Sequence, residues 1–187
     1  MPLSVAYINP FVASVRTLFT TMGLGDAVLC TPRVRRPGED LARAFEVAVV
    51  VELSGPTSGV VAVMLSRRVA CALGSSLAGV GFSSVDADCR DALGELGNML
   101  VGQAKAGLPG GSSRMTVPQV AETASVRWPA RTPVLVVPFD TPHGRLAIGV
   151  ACRTDPAAAL AAQAETQAAL AGESGMDAWP SPAGATA

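Results

Sequence analysis

The sequence predicts an α+β domain: a largely antiparallel sheet with long helices packed on one face, followed by an Ala-rich C-terminal tail. Three observations predict it. Valine-rich runs of strand length are joined by strong turn signals. Between them lie segments with apolar residues at helical spacing, bracketed by capping residues and glycine stops. The order is helix, strands, helices, strands, which suits a mixed antiparallel sheet and not a βαβ repeat.

Residues 9–23 read as the first helix, with Asn9 as N-cap, Pro10 at the first helical position and the Met-Gly pair as its stop. Phe11, Val15, Phe19 and Met22 follow helical spacing and place one apolar face on a core. Residues 26–36 read as a strand ending in an Arg-Pro-Gly turn. Residues 44–53 (AFEVAVVVEL) and 59–65 (GVVAVML) flank the turn segment SGPTS and form an antiparallel hairpin. Ser66 caps a second helix through about Leu77, with Val69, Ala70, Leu73 and Leu77 inward. A third helix runs from about Val85 to Ala106, where Gly107, Pro109, Gly110 and Gly111 stop it. Strands are expected over residues 115–120 and 124–128, then a closing hairpin over 133–139 and 145–152.

Residues 1–154 thus form one domain. The remaining 33 residues hold 13 alanines, with Asp155 and Pro156 as a helix start and Gly172 as its stop. Only Leu160 and Leu170 there could bury anything, so the tail reads as a marginal helix followed by a loose end. Trp179 reads as an ordinary tail aromatic, with a short docking peptide as the alternative.

Composition narrows the function. The chain is 49% hydrophobic and 16% charged, enough to build a core without metal or disulfides. A net charge of −1 supplies no basic field for nucleic acid. Apolar runs are strand-sized and far short of a membrane span, and the N-terminus has no basic leader, so a cytoplasmic protein is expected. Cys30, Cys71, Cys89 and Cys152 show no metal or redox spacing and read as small buried hydrophobes. The lone His143 sits in a turn signal without triad partners. Arg33, Arg35 and Arg36 form a small basic cluster that fits either a solvated turn or an acidic partner.

The third helix carries the candidate chemistry. At about 100° per residue, Asp91, Glu95, Asn98 and Gly102 fall within an arc of about 60°. Leu93, Leu96, Leu100 and Ala104 lie on the opposite, core-facing side. A carboxylate and a carboxamide therefore stand one turn apart on an exposed ridge. Gly94, Gly97 and Gly102 each cost roughly 1 kcal/mol in a helix interior, which mere solubility does not require. Gly102, on the ridge itself, would admit a close approach. By themselves these residues favour the plainer reading of a solvated face with packing glycines.

The pattern D-x-x-x-E-x-x-N over Asp91, Glu95 and Asn98, a following GQAK segment and Pro118 in MTVPQV resemble the active helix and adjoining loop of the CheC/CheX/FliY phosphatases. The stretches INPFVASVRTLFTTMG, ELGNMLVGQAK and VLVVPFDTPHGRLAIGV resemble the CheX branch, in the family's order, over about residues 8–153. The first helix has no Glu-x-x-Asn, and one such site fits CheX better than the two expected of CheC. The resemblance implies a CheC/CheX-like fold and a protein phosphatase acting on the aspartyl phosphate of a CheY-like response regulator. It implies that Asn98 orients the attacking water and that Glu95 pairs with the receiver's lysine. Asp91 and Gly102 would support partner contact, and Pro118 would shape the adjacent loop. It implies no cofactor in this chain, Mg²⁺ in the receiver substrate, and a homodimer joined through sheet edges, for which the closing hairpin could supply the edge. The alternative is a non-catalytic CheX-like module that binds a receiver or scaffold.

Overall fold

A computed structural model describes residues 5–109, 113–162 and 164. Three helices, α1 (Val5–Thr21), α2 (Arg67–Ala78) and α3 (Ala87–Lys105), cover one face of an eight-stranded antiparallel sheet. The strands are β1 (Val28–Leu29), β2 (Arg33–Val34), β3 (Val47–Ser54), β4 (Thr57–Leu65), β5 (Arg114–Met115), β6 (Gln119–Glu122), β7 (Leu135–Thr141) and β8 (Gly144–Thr154). Their order is β1-β7-β8-β4-β3-β5, with β2 also on β7 and β6 also on β3.

The valine runs are continuous because the sheet is buried on both sides. Val49, Val51, Val61, Val63, Leu146, Ile148 and Val150 face the helices. The alternate residues Ala48, Ala62, Met64, Val136, Ala147 and Ala151 face a second, smaller core. Among the described residues no α-helix covers that second core; Leu41, in a 3₁₀ turn, and Phe45, Val126 and Trp128, from the connecting segments, do. Trp128 packs so closely on β8 that a methyl group at Gly149 would overlap its ring. Gly149→Ala is therefore expected to lower the unfolding free energy by about 1–2 kcal/mol through overpacking, measured by urea titration.

Several expectations change. The first helix begins by Val5 and carries Pro10 inside it. At the sixth helical position proline forfeits one backbone bond and crowds the carbonyl of Ala6. The extra turn buries Ile8 and lets the Tyr7 hydroxyl bond to Thr154 Oγ1. The expected strand over 26–36 is two short pairings, each with β7. Residues 115–120 split into β5 and β6 around an exposed bend, and residues 123–125 form a 3₁₀ turn in place of a strand. The closing hairpin is internal. β8 pairs with both β7 and β4, while the free side of β7 is taken by β1 and β2, so this hairpin supplies no open edge for a partner.

The hairpin between β3 and β4 and the capping role of Ser66, whose hydroxyl accepts from Val69 N–H, agree with expectation. Asp155 accepts from the N–H groups of Ala157 and Ala158 and begins a helical segment, on which Leu160 is exposed. Leu170, Gly172 and Trp179 lie outside the described residues.

Candidate active site

The third helix is built as its sequence requires. Asp86 caps it, its carboxylate accepting from Cys89 N–H at 2.9 Å, and Asp88 sits in the first turn where the helix dipole favours negative charge. Cys89, Leu93, Leu96, Gly97, Leu100, Val101 and Ala104 are buried. The helix packs on α1 and α2 and over β3 and β6. Ser14, fully buried on α1, donates to the Leu100 carbonyl at 2.7 Å and so ties two helices together at mid-length.

Opposite this buried face, α3 forms one wall of an open groove of about 570 Å³. Arg90, Asp91, Gly94, Glu95 and Asn98 line it from the helix. Met115, Thr116, Val117, Pro118 and Val120 line it from the β5–β6 segment. Among the described residues, neither the Glu95 carboxylate nor the Asn98 carboxamide has a hydrogen-bond partner, and both are exposed. Their polar atoms are thus available to something that enters the groove. The facing wall is held firmly: Thr116 N–H donates to the Glu52 carbonyl at 3.0 Å, and Glu52 N–H donates to Thr116 Oγ1 at 3.1 Å.

The structure therefore brings Asp91, Glu95, Asn98 and Pro118 together around one groove. Gly102 lies one turn beyond it; a methyl group there would stand 3.9 Å from Met115 Sδ, an ordinary contact. The three helix glycines differ. A methyl group at Gly97 would overlap Val49 Cγ1 of β3, so this glycine is required by the sheet beneath it. Gly94 has nothing within 4 Å of its missing side chain and opens directly on the groove.

Sequence reasoning missed Arg90 and Val117. Arg90 sits about 100° off the polar ridge, so helical spacing alone removes it from the site. Only the placement of β6, whose Val120 carbonyl accepts from Arg90 Nη1 at 3.1 Å, brings its side chain to the groove.

Other candidates are placed elsewhere. Arg33, Arg35 and Arg36 converge on Glu39: Arg33 Nη1 bonds its carboxylate at 2.8 Å, Arg35 bonds its carbonyl, and Arg36 N–H bonds the carboxylate. The Arg33 guanidinium holds the Glu39 carboxyl below the usual carboxylate range. None of the three lines the groove. Burial pushes the Cys89 thiol up to about 11 and the Cys152 thiol up to about 12, so both are protonated, unreactive thiols at neutral pH. His143 lies in the turn between β7 and β8, its N–H donating to Thr141 Oγ1. Among the described residues no cluster of His, Cys, Asp and Glu could hold a metal ion, and no helix is long and apolar enough to cross a membrane.

A family model described as chemotaxis phosphatase CheX matches residues 47–140, which span β3 through most of β7 and include the whole of α3. Among solved structures, a CheC-like superfamily protein from Shewanella sp. PV-4 is 23% identical, with a TM-score of 0.70 over 81% of this chain and 99% of that one. The chemotaxis protein CheX of Desulfovibrio desulfuricans is 24% identical, with a TM-score of 0.69 over 81% of this chain and 100% of that one. The CheX of Borrelia burgdorferi, solved as a CheX–CheY–BeF3–Mg complex, is 21% identical, with a TM-score of 0.62 over 79% of this chain and 97% of that one. These likenesses establish a shared fold. No curated protein matches the chain.

Proposed function

The chain belongs to the CheX family of chemotaxis phosphatases, and from that premise we propose that it hydrolyses the aspartyl phosphate of a CheY-like response regulator. The observation that carries this reading is the pairing of Glu95 and Asn98, unpartnered among the described residues, in one groove with Pro118. The Borrelia CheX solved with CheY, Mg²⁺ and BeF3 supports a receiver domain as the partner.

In the proposed reaction a water oxygen attacks phosphorus in line, the P–O bond to the receiver's aspartate breaks, and its carboxylate leaves as inorganic phosphate forms. Little covalent work falls to this chain; positioning and electrostatics dominate. The Asn98 carboxamide can accept a hydrogen from the attacking water, or donate to it, without bringing negative charge toward the phosphoryl group. The Glu95 carboxylate, one turn away, pairs with the receiver's lysine and sets the register of the two proteins. Asp91, on the same wall, supports the contact, and Pro118 shapes the opposite wall. The chain requires no cofactor of its own, since the Mg²⁺ belongs to the receiver. The reading includes a homodimer, formed through a surface other than the closing hairpin and tested by sedimentation velocity.

The deciding experiment measures phosphate release from phosphorylated receiver domains of the same genome, with and without this chain. Acceleration of at least tenfold with one receiver is expected. No acceleration with any of them refutes the reading, and phosphorylation-dependent binding with an unchanged phosphate lifetime would favour the non-catalytic module.

A further inference from the structure

The groove has two features that hydrolysis itself does not use. Val117 is 84% exposed, the most exposed of the large hydrophobic residues in the described chain, and it lines the groove from the wall facing Glu95 and Asn98. A lone exposed valine is ordinary, but this one is held in place. Thr116 on one side is bonded to β3 in both directions, Pro118 on the other fixes the backbone, and β5 and β6 both pair with β3.

The second feature is Arg90. Its side chain crosses from α3 to β6, where Nη1 donates to the Val120 carbonyl. The bond fixes the guanidinium at the groove while leaving most of its five N–H donors unused. Among the described residues no carboxylate lies within ion-pair distance of it. An aspartyl phosphate that holds Mg²⁺ is surrounded by carboxylate and phosphoryl oxygens, since Mg²⁺ takes oxygen ligands. A fixed, unneutralised guanidinium complements that surface.

We propose that Arg90 and Val117 form the docking rim of the groove, gripping the phosphorylated receiver through a charged contact and an apolar contact that are separate from the chemistry at Asn98. The inference rests on the phosphatase reading and adds the contacts that select the partner. Arg90 acts as a positioning residue, and Val117 as an apolar anchor that becomes buried on docking.

The test uses the full chain and a receiver activated with beryllofluoride and Mg²⁺. Dissociation constants are measured by titration calorimetry for the wild type, Val117→Asp, Arg90→Gln and Arg90→Lys, alongside steady-state phosphate release. Val117→Asp and Arg90→Gln are each expected to weaken binding on the order of tenfold, with the loss of kcat/KM carried by KM. Arg90→Lys is expected to recover part of the affinity, and Arg90→Gln to flatten its dependence on salt. Because Val117 makes almost no internal contact, its variant keeps the wild-type melting temperature. If the wild type binds and hydrolyses but both variants bind as tightly as it does, the docking rim is wrong and the phosphatase reading stands. If the wild type neither binds nor dephosphorylates any receiver, both fail together.

Discussion

Asn98→Ala is expected to remove at least about 99% of the phosphate-release activity, a loss on the scale of two or more orders of magnitude for a group that aligns the attacking water. The physical basis is the division of labour in the groove. The receiver brings the phosphoryl group and Mg²⁺, so the barrier that remains for this chain is the orientation of one water molecule. Asn98 is exposed and has no hydrogen-bond partner among the described residues, so its truncation leaves the fold intact. Thermal unfolding should coincide with that of the wild type, and affinity for the activated receiver should persist. Asn98→Asp keeps the shape but places a negative charge toward the phosphoryl oxygens, and should be nearly as inactive. An Asn98→Ala protein that accelerates phosphate release like the wild type would remove this side chain from the mechanism.

Gly97→Leu, between the two site residues, should be strongly destabilising. The position is buried over β3, and a methyl group there already overlaps Val49 Cγ1. A leucine must push α3 off the sheet, at a cost of about 3 kcal/mol from overpacking, partly offset by about 1 kcal/mol of helix propensity. Because α3 carries Glu95 and Asn98 as a rigid body, the displacement should also reduce activity in whatever protein remains folded. Gly94→Ala provides the contrast. Nothing lies within 4 Å of its side-chain position, so the helix should gain about 1 kcal/mol of stability. Its methyl group enters the groove, however, and should raise KM for the receiver. Urea titrations of the two variants separate the cases: a loss for Gly97→Leu and a gain for Gly94→Ala. Equal effects would mean that the helix does not sit on β3 as described.

The elements that were legible in the sequence are those governed by local chemistry. Ser66 begins α2 because its side chain can bond the first free N–H groups of a helix. The leucine face of α3 and the ridge of Asp91, Glu95 and Asn98 follow from 3.6-residue periodicity, since one anchored face leaves the opposite one in solvent. The hairpin of β3 and β4 follows from two valine runs around a Gly-Pro turn.

Pairings between distant segments needed the tertiary structure. Two-residue strands such as β1 and β2 carry no periodic signal and exist because β7 offers an unpaired edge. Pro10 sits inside α1 because Ile8 and Tyr7 gain contacts that outweigh one lost backbone bond. Which glycine serves packing and which serves access, Gly97 or Gly94, depends on Val49 lying beneath one and open space beside the other. That Glu95 and Asn98 share one exposed ridge was thus determined by the sequence alone, because both residues belong to one helix face, and their candidate role rests on the family resemblance. The facing wall with Val117, and the Arg90 bridge to Val120, were decided only when the sheet placed β5 and β6 beside that helix.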